Sequence, residues 1–114
     1  MNVIVANDRK DALSNLDVEV IKSINGEYDV DELVVMFKDF FFDRMILDIT
    51  AIKNYNNISN IQKIAMELGE DKIILVLTDE LCTSSSYLSN IISMGIYNFT
   101  NNVNAIKQLL ARPN

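Results

Sequence analysis

Arg44-Met45-Ile46-Leu47-Asp48-Ile49 is the stretch on which the fold turns. Its apolar run is unbroken until Asp48, which is how a strand covered on both faces reads. A carboxylate at the end of such a strand needs a physical reason. In an open parallel α/β sheet, ligands and chemistry gather at the carboxyl ends of the strands. Two further runs share the design. Lys72-Ile73-Ile74-Leu75-Val76-Leu77-Thr78 ends in a hydroxyl, and Asn2-Val3-Ile4-Val5-Ala6 leads into Asn7-Asp8. Three buried-type strands that finish on polar groups would bring Asn7, Asp8, Asp48 and Thr78 to one edge as a small acidic site.

Working outward, apolar runs alternate with helical patterns, the signature of βαβ units. Strands are expected over 2–6, 18–24, 44–49, 72–78 and 96–100. The first, third and fourth are continuously apolar. The second and fifth are mixed, as edge strands are. The expected fold is therefore α/β, a flavodoxin-like doubly wound (βα)5 domain. Its parallel sheet has the order 2-1-3-4-5 with right-handed crossovers. Helix two starts at Asp29, with Asp31 and Glu32 in its first turn. Phe40-Phe41-Phe42 leads out of it and packs under the sheet. Helix three covers 57–68 and stops at Gly69. Helix four follows Thr83-Ser84-Ser85-Ser86. Helix five covers 103–112 and ends at Pro113. Only Asp8 to Asp17 separate the first two strands, so helix one is short or distorted.

The 114 residues suit one domain, and a 49% hydrophobic composition supports a proper core. No apolar run approaches the roughly 20 residues that span a bilayer, so no membrane insertion is expected. The lone Cys82 leaves no internal disulfide and no cysteine-rich metal site, which points to a cytoplasmic protein. The net charge of −6, with no basic block beyond Arg9-Lys10, argues against nucleic acid and anionic membrane surfaces as partners. There is no His, so no Ser–His or Cys–His pair can form within the chain. The only glycines are Gly26, Gly69 and Gly95, too few and too scattered for a phosphate-cradling loop.

The acidic constellation has two readings. Asp8 and Asp48 could hold a hard cation such as Mg²⁺, which takes few protein oxygens and keeps several waters. A carboxylate beside it could then accept a phosphoryl group, with Thr78 bonding the transferred oxygens. Alternatively Asp48 caps a loop by accepting backbone N–H groups, Asp8 caps helix one, and Thr78 bonds only backbone.

The order and spacing of these motifs resemble the receiver domain of two-component response regulators, over the whole chain. Val3-Ile4-Val5-Ala6-Asn7-Asp8 is similar to the strand that ends in an acidic pair. Met45-Ile46-Leu47-Asp48-Ile49 resembles the phosphoacceptor strand, and Val76-Leu77-Thr78 the strand ending in the switch hydroxyl. Met94-Gly95-Ile96-Tyr97-Asn98-Phe99-Thr100-Asn101-Asn102 resembles the fifth strand, with Phe99 at the switch-aromatic position. The departures are as informative. Asn7 stands where the first acid belongs, and Asn102-Val103, or Asn101-Asn102 in a shifted register, stands where the family has its lysine and proline. No Lys or Arg is expected near enough to neutralise a phosphoryl group. The resemblance thus implies a degenerate pseudo-receiver, not an enzyme, with no cofactor unless Mg²⁺ binds. It would act through protein partners or as a homodimer across the helix-four, strand-five and helix-five face, where Tyr87, Tyr97 and Phe99 lie. The alternative is a working phosphoacceptor that uses Asp48 and Mg²⁺. A flavin-binding reading fares worse, because Asn7-Asp8-Arg9-Lys10 is not a Ser/Thr/Gly-rich phosphate turn. More narrowly, the chain is similar to the receiver-like N-terminal domains of TadZ/CpaE-like, MinD/ParA-type ATPases that localise pilus assembly. Residues 1–114 would then be one domain cut from a longer protein, with the ATPase domain beyond Asn114.

Overall fold

The computed structural model describes residues 1–112. Five parallel strands form one sheet in the order β2-β1-β3-β4-β5. They are β1 (Asn2–Ala6), β2 (Val20–Asn25), β3 (Arg44–Asp48), β4 (Ile73–Val76) and β5 (Phe99–Thr100). The helices are α1 (Lys10–Ser14), α2 (Val30–Phe37), α3 (Ile58–Ile64), α4 (Asp79–Cys82), α5 (Ser85–Ser93) and α6 (Ile106–Leu110). This is the expected flavodoxin-like α/β fold. α1 is a bare five-residue helix, as the short first connection requires.

Alternation along the central strands explains both packed layers. Val3, Val5, Met45, Leu47, Ile73 and Leu75 point to one face and meet α2, α3 and α5 in the larger core. Ile4, Ala6, Ile46 and Val76 point to the other, where Leu13 of α1 and Ile106 of α6 form a smaller core. A face closed by two five-residue helices has less apolar surface to bury than one closed by three longer elements.

The ends of elements shift from expectation for local reasons. β2 starts at Val20 rather than Val18, with an irregular register between Asn2 and Val3, because residues 16–19 carry the chain from α1 to the sheet edge. β5 is only two residues long. Ile96 still donates its N–H back to Ile91 at 3.0 Å, so the backbone is leaving α5 where a strand was expected. β4 ends at Val76, and Thr78 instead opens α4, a helix with no warning in the apolar pattern. α3 runs on through a π-helical turn, Ala65–Gly69, and stops at Gly69, whose φ of +102° favours glycine. The last helix opens with a 3-10 turn, Val103–Ala105, before α6. Pro113, expected to end it, lies outside the described residues.

The aromatic exit from α2 splits in two. Phe42 is buried and Phe40 half-buried, both edge-to-face with Phe37 at about 6 Å between centroids. Phe41, expected under the sheet with them, is 69% exposed. Phe40 closes the turn after α2, its N–H donating to the Phe37 carbonyl at 3.1 Å, and the three consecutive rings leave the turning backbone in different directions.

Tyr87 fastens α5 to the loop after β3: its hydroxyl donates to the Tyr55 carbonyl at 2.9 Å. Burial raises its phenol pKa well above 10.0, with the neighbouring Tyr55 adding to the effect. A raised pKa in the folded state means a stability contribution that is full below pH 10.0 and lost as pH climbs above it. Tyr87→Phe should cost about 1 kcal/mol at neutral pH through the lost hydrogen bond. It should also flatten the loss of stability between neutral and strongly alkaline pH, read from urea midpoints. An equally steep alkaline loss in the variant would exclude Tyr87 as its source.

Candidate functional site

Asp48 ends β3 opposite Val76 of β4, at the carboxyl edge of the sheet. Its side chain is 1% exposed. One carboxylate oxygen, Oδ2, accepts the backbone N–H of Asn7 and of Arg9, each at 2.9 Å. The other, Oδ1, accepts the Thr50 backbone N–H at 3.0 Å and the Thr50 hydroxyl at 2.8 Å. A carboxylate offers about four lone-pair sites, and these donors occupy all of them. The Thr50 contacts arise locally: an Asp that accepts from the N–H two residues on makes an Asx-type turn, here the start of the 3-10 turn Ile49–Ala51. The other two close across the sheet and pin the β1–α1 loop.

Thr50 extends the same stitching. Its hydroxyl oxygen accepts the Asp8 N–H at 3.0 Å, and its carbonyl accepts the Asn7 side-chain amide at 2.9 Å. Asn7 therefore acts as a donor. A carboxylate in its place could not donate to Thr50 O and would add a second negative charge beside a buried one. The Asp8 backbone belongs to the clamp, but Asp8 itself is exposed.

Thr78 does not join this cluster. Its hydroxyl accepts the Leu81 N–H at 3.1 Å and caps α4. Phe99 is half-buried and packs against the larger core. Asn102 caps the 3-10 turn ahead of α6, accepting the Asn104 N–H at 3.0 Å. Among the described residues no three His, Cys, Asp or Glu side chains stand close enough together to hold a metal ion. Asp48, with both oxygens already engaged, offers a cation nothing without breaking the clamp.

One expectation is corrected outright. A cation does stand at this edge: Arg9 reaches from the β1–α1 loop over the ends of β4 and β5. Its Nη2 donates to the Leu77 carbonyl at 3.3 Å and its Nη1 to the Asn101 carbonyl at 3.0 Å. Asn101 in turn donates its side-chain amide to Asp79 at 3.0 Å. Thr50 and Arg9 are the members of this edge that the sequence did not nominate. Only Thr50, two residues after Asp48, carried a readable signal.

No protein-family model, curated protein or solved structure matches the chain. Among the described residues, no helix is long and apolar enough to cross a membrane.

Proposed function

We propose that the chain is a pseudo-receiver, a protein-interaction or localisation module that keeps the receiver fold and has given up phosphoryl transfer. The observation that carries this reading is the state of Asp48. A phosphoacceptor needs a carboxylate oxygen with a free lone pair and an open approach, and Asp48 is 1% exposed with all its lone pairs engaged. Attack by Asp48 would first require the β1–α1 loop to release it. The Asn7 amide and the Asn102 cap have local structural work instead of charge to offer. A working phosphoacceptor receiver, the alternative, gains no support from these contacts.

The output face of this reading is α5, β5 and α6, through which the domain would dimerise and position a partner ATPase. Ile92 and Tyr97 support it as apolar side chains left 43% and 69% exposed on that side. The test joins two measurements on one sample. Intact mass after incubation with Mg²⁺ and acetyl phosphate should show no covalent adduct, and light scattering should show a dimer. A stoichiometric adduct mapped to Asp48 would retire the pseudo-receiver reading. A monomer at high concentration would remove the dimer.

A further inference from the structure

Arg9 is held but not neutralised. Two backbone carbonyls, Leu77 O and Asn101 O, fix its guanidinium. Among the described residues no carboxylate lies within ion-pair distance of it; the pairs that form involve Met1, Lys63 and Lys107. A guanidinium has five N–H donors, so these two bonds leave others free. Asp79 keeps its charge and accepts from Asn101, and Asp8 is exposed.

Beside Arg9 opens a cleft of about 680 Å³ between α1 and the β5–α6 connection. Its polar lining is Arg9 with Asn15, Asn101, Asn102 and Asn104. The four asparagines are exposed and Arg9 is half-buried; Asn101 is bonded to Asp79 and Asn102 caps the turn before α6, which leaves the Asn15 and Asn104 side chains for a ligand. The chain's net charge of −6 repels anions in general, and this cleft is the local exception. Carboxamides both donate and accept, which suits hydroxyl groups, and a fixed guanidinium suits an oxyanion bound by paired N–H donors. The volume lies in the range of small-molecule sites, with a few polar groups that converge on one region.

We propose that this cleft binds a small polyhydroxylated oxyanion of the sugar-phosphate or sugar-acid class. Its anionic group sits on Arg9 and its hydroxyls on the Asn15 and Asn104 side chains. Bound there, it ties α1 to the segment leading into α6 and so reports a metabolite to the α6 side of the domain. The inference goes beyond the pseudo-receiver reading and stands apart from it, since it uses neither Asp48 nor a covalent step.

Amide NMR titration of the whole chain tests it, with ribose 5-phosphate, gluconate, inorganic phosphate and ribose as probes. Ribose 5-phosphate or gluconate should give saturable shifts confined to Arg9, Asn15 and Asn101–Asn104, and whichever binds tighter identifies the anionic group. Inorganic phosphate and ribose should each bind at least about tenfold more weakly, since each keeps half of the contacts. Arg9→Gln should weaken binding by about tenfold or more. Asn15→Leu should do the same while leaving both carbonyl contacts of Arg9 in place, which covers the case in which Arg9→Gln fails to fold. Absence of saturable shifts at millimolar probe, shifts centred elsewhere, or affinity unchanged by Asn15→Leu would overturn the proposal. Covalent labelling of Asp48 by acetyl phosphate would leave it untouched.

Discussion

Asp48→Asn lowers the stability of the domain by about 3 kcal/mol, a loss on the scale of a core truncation. The substitution keeps the shape and replaces one acceptor oxygen with an NH₂ donor. With the remaining oxygen on Thr50, that NH₂ faces the Asn7 and Arg9 N–H groups, both 2.9 Å from the atom it replaces. With the amide flipped, the Thr50 N–H loses its acceptor instead. Either way at least one buried donor is orphaned, at about 1–3 kcal/mol. The remaining bonds lose their charge assistance as well. Urea denaturation measures the change, and an unaltered midpoint would mean that the clamp does not hold the fold. The result bears on how phosphorylation is tested. An Asp48→Asn variant changes the β1–α1 loop as well as removing a nucleophile. An adduct therefore has to be located by peptide mapping rather than inferred from that variant.

Phe37→Ala is expected to cost about 4 kcal/mol, and Phe41→Ser to stay within about 0.5 kcal/mol of the parent. Phe37 is 1% exposed and is the shared ring of two edge-to-face pairs, with Phe40 and Phe42. Lys22 Nζ lies 5.9 Å from its centroid and 5.2 Å from that of Phe40, so β2 is tied to the same cluster. Truncation leaves a cavity under an edge strand that has a neighbour on one side only, where partial collapse does not restore the ring contacts. Phe41, four residues on, touches solvent. Equal losses in the two variants would contradict this division of the aromatic segment.

The same division shows what a sequence carries and what it does not. Sheet order was legible because burial on both faces leaves β1, β3 and β4 continuously apolar, while the edges, β2 and β5, tolerate Glu19, Lys22 and Asn98 nearby. The short first helix was legible as simple chain length. Asp48 was legible as a position, since a carboxylate closing an apolar run is conspicuous. That it accepts backbone N–H groups was one of its two readings; which residues donate was not legible, because two of its four donors are backbone N–H groups from residues about forty positions away, and every residue but proline has such a group. Thr78 bonds only backbone, which was one of its two readings. A hydroxyl after a strand serves equally well as a ligand or as a helix cap, and the choice depends on the short α4 that follows. Arg9 was overlooked because sequence distance hid its reach: its bonds to Leu77 and Asn101 span 68 and 92 residues.

The two rims of the sheet differ in a way that governs how copies of the chain behave in a crowded solution. β5 presents an outer side only two residues long, but β2 runs for six residues with the N–H and C=O of every second one turned outward, and Val20 and Ile21 are exposed beside them. Such a rim is a template for intermolecular strand addition. Mutual repulsion between copies of net charge −6 opposes that encounter. Colloidal stability therefore rests on the acidic surface rather than on a guarded edge. Acidification that protonates those carboxylates, or salt that screens them, turns β2 into the first point of adhesion.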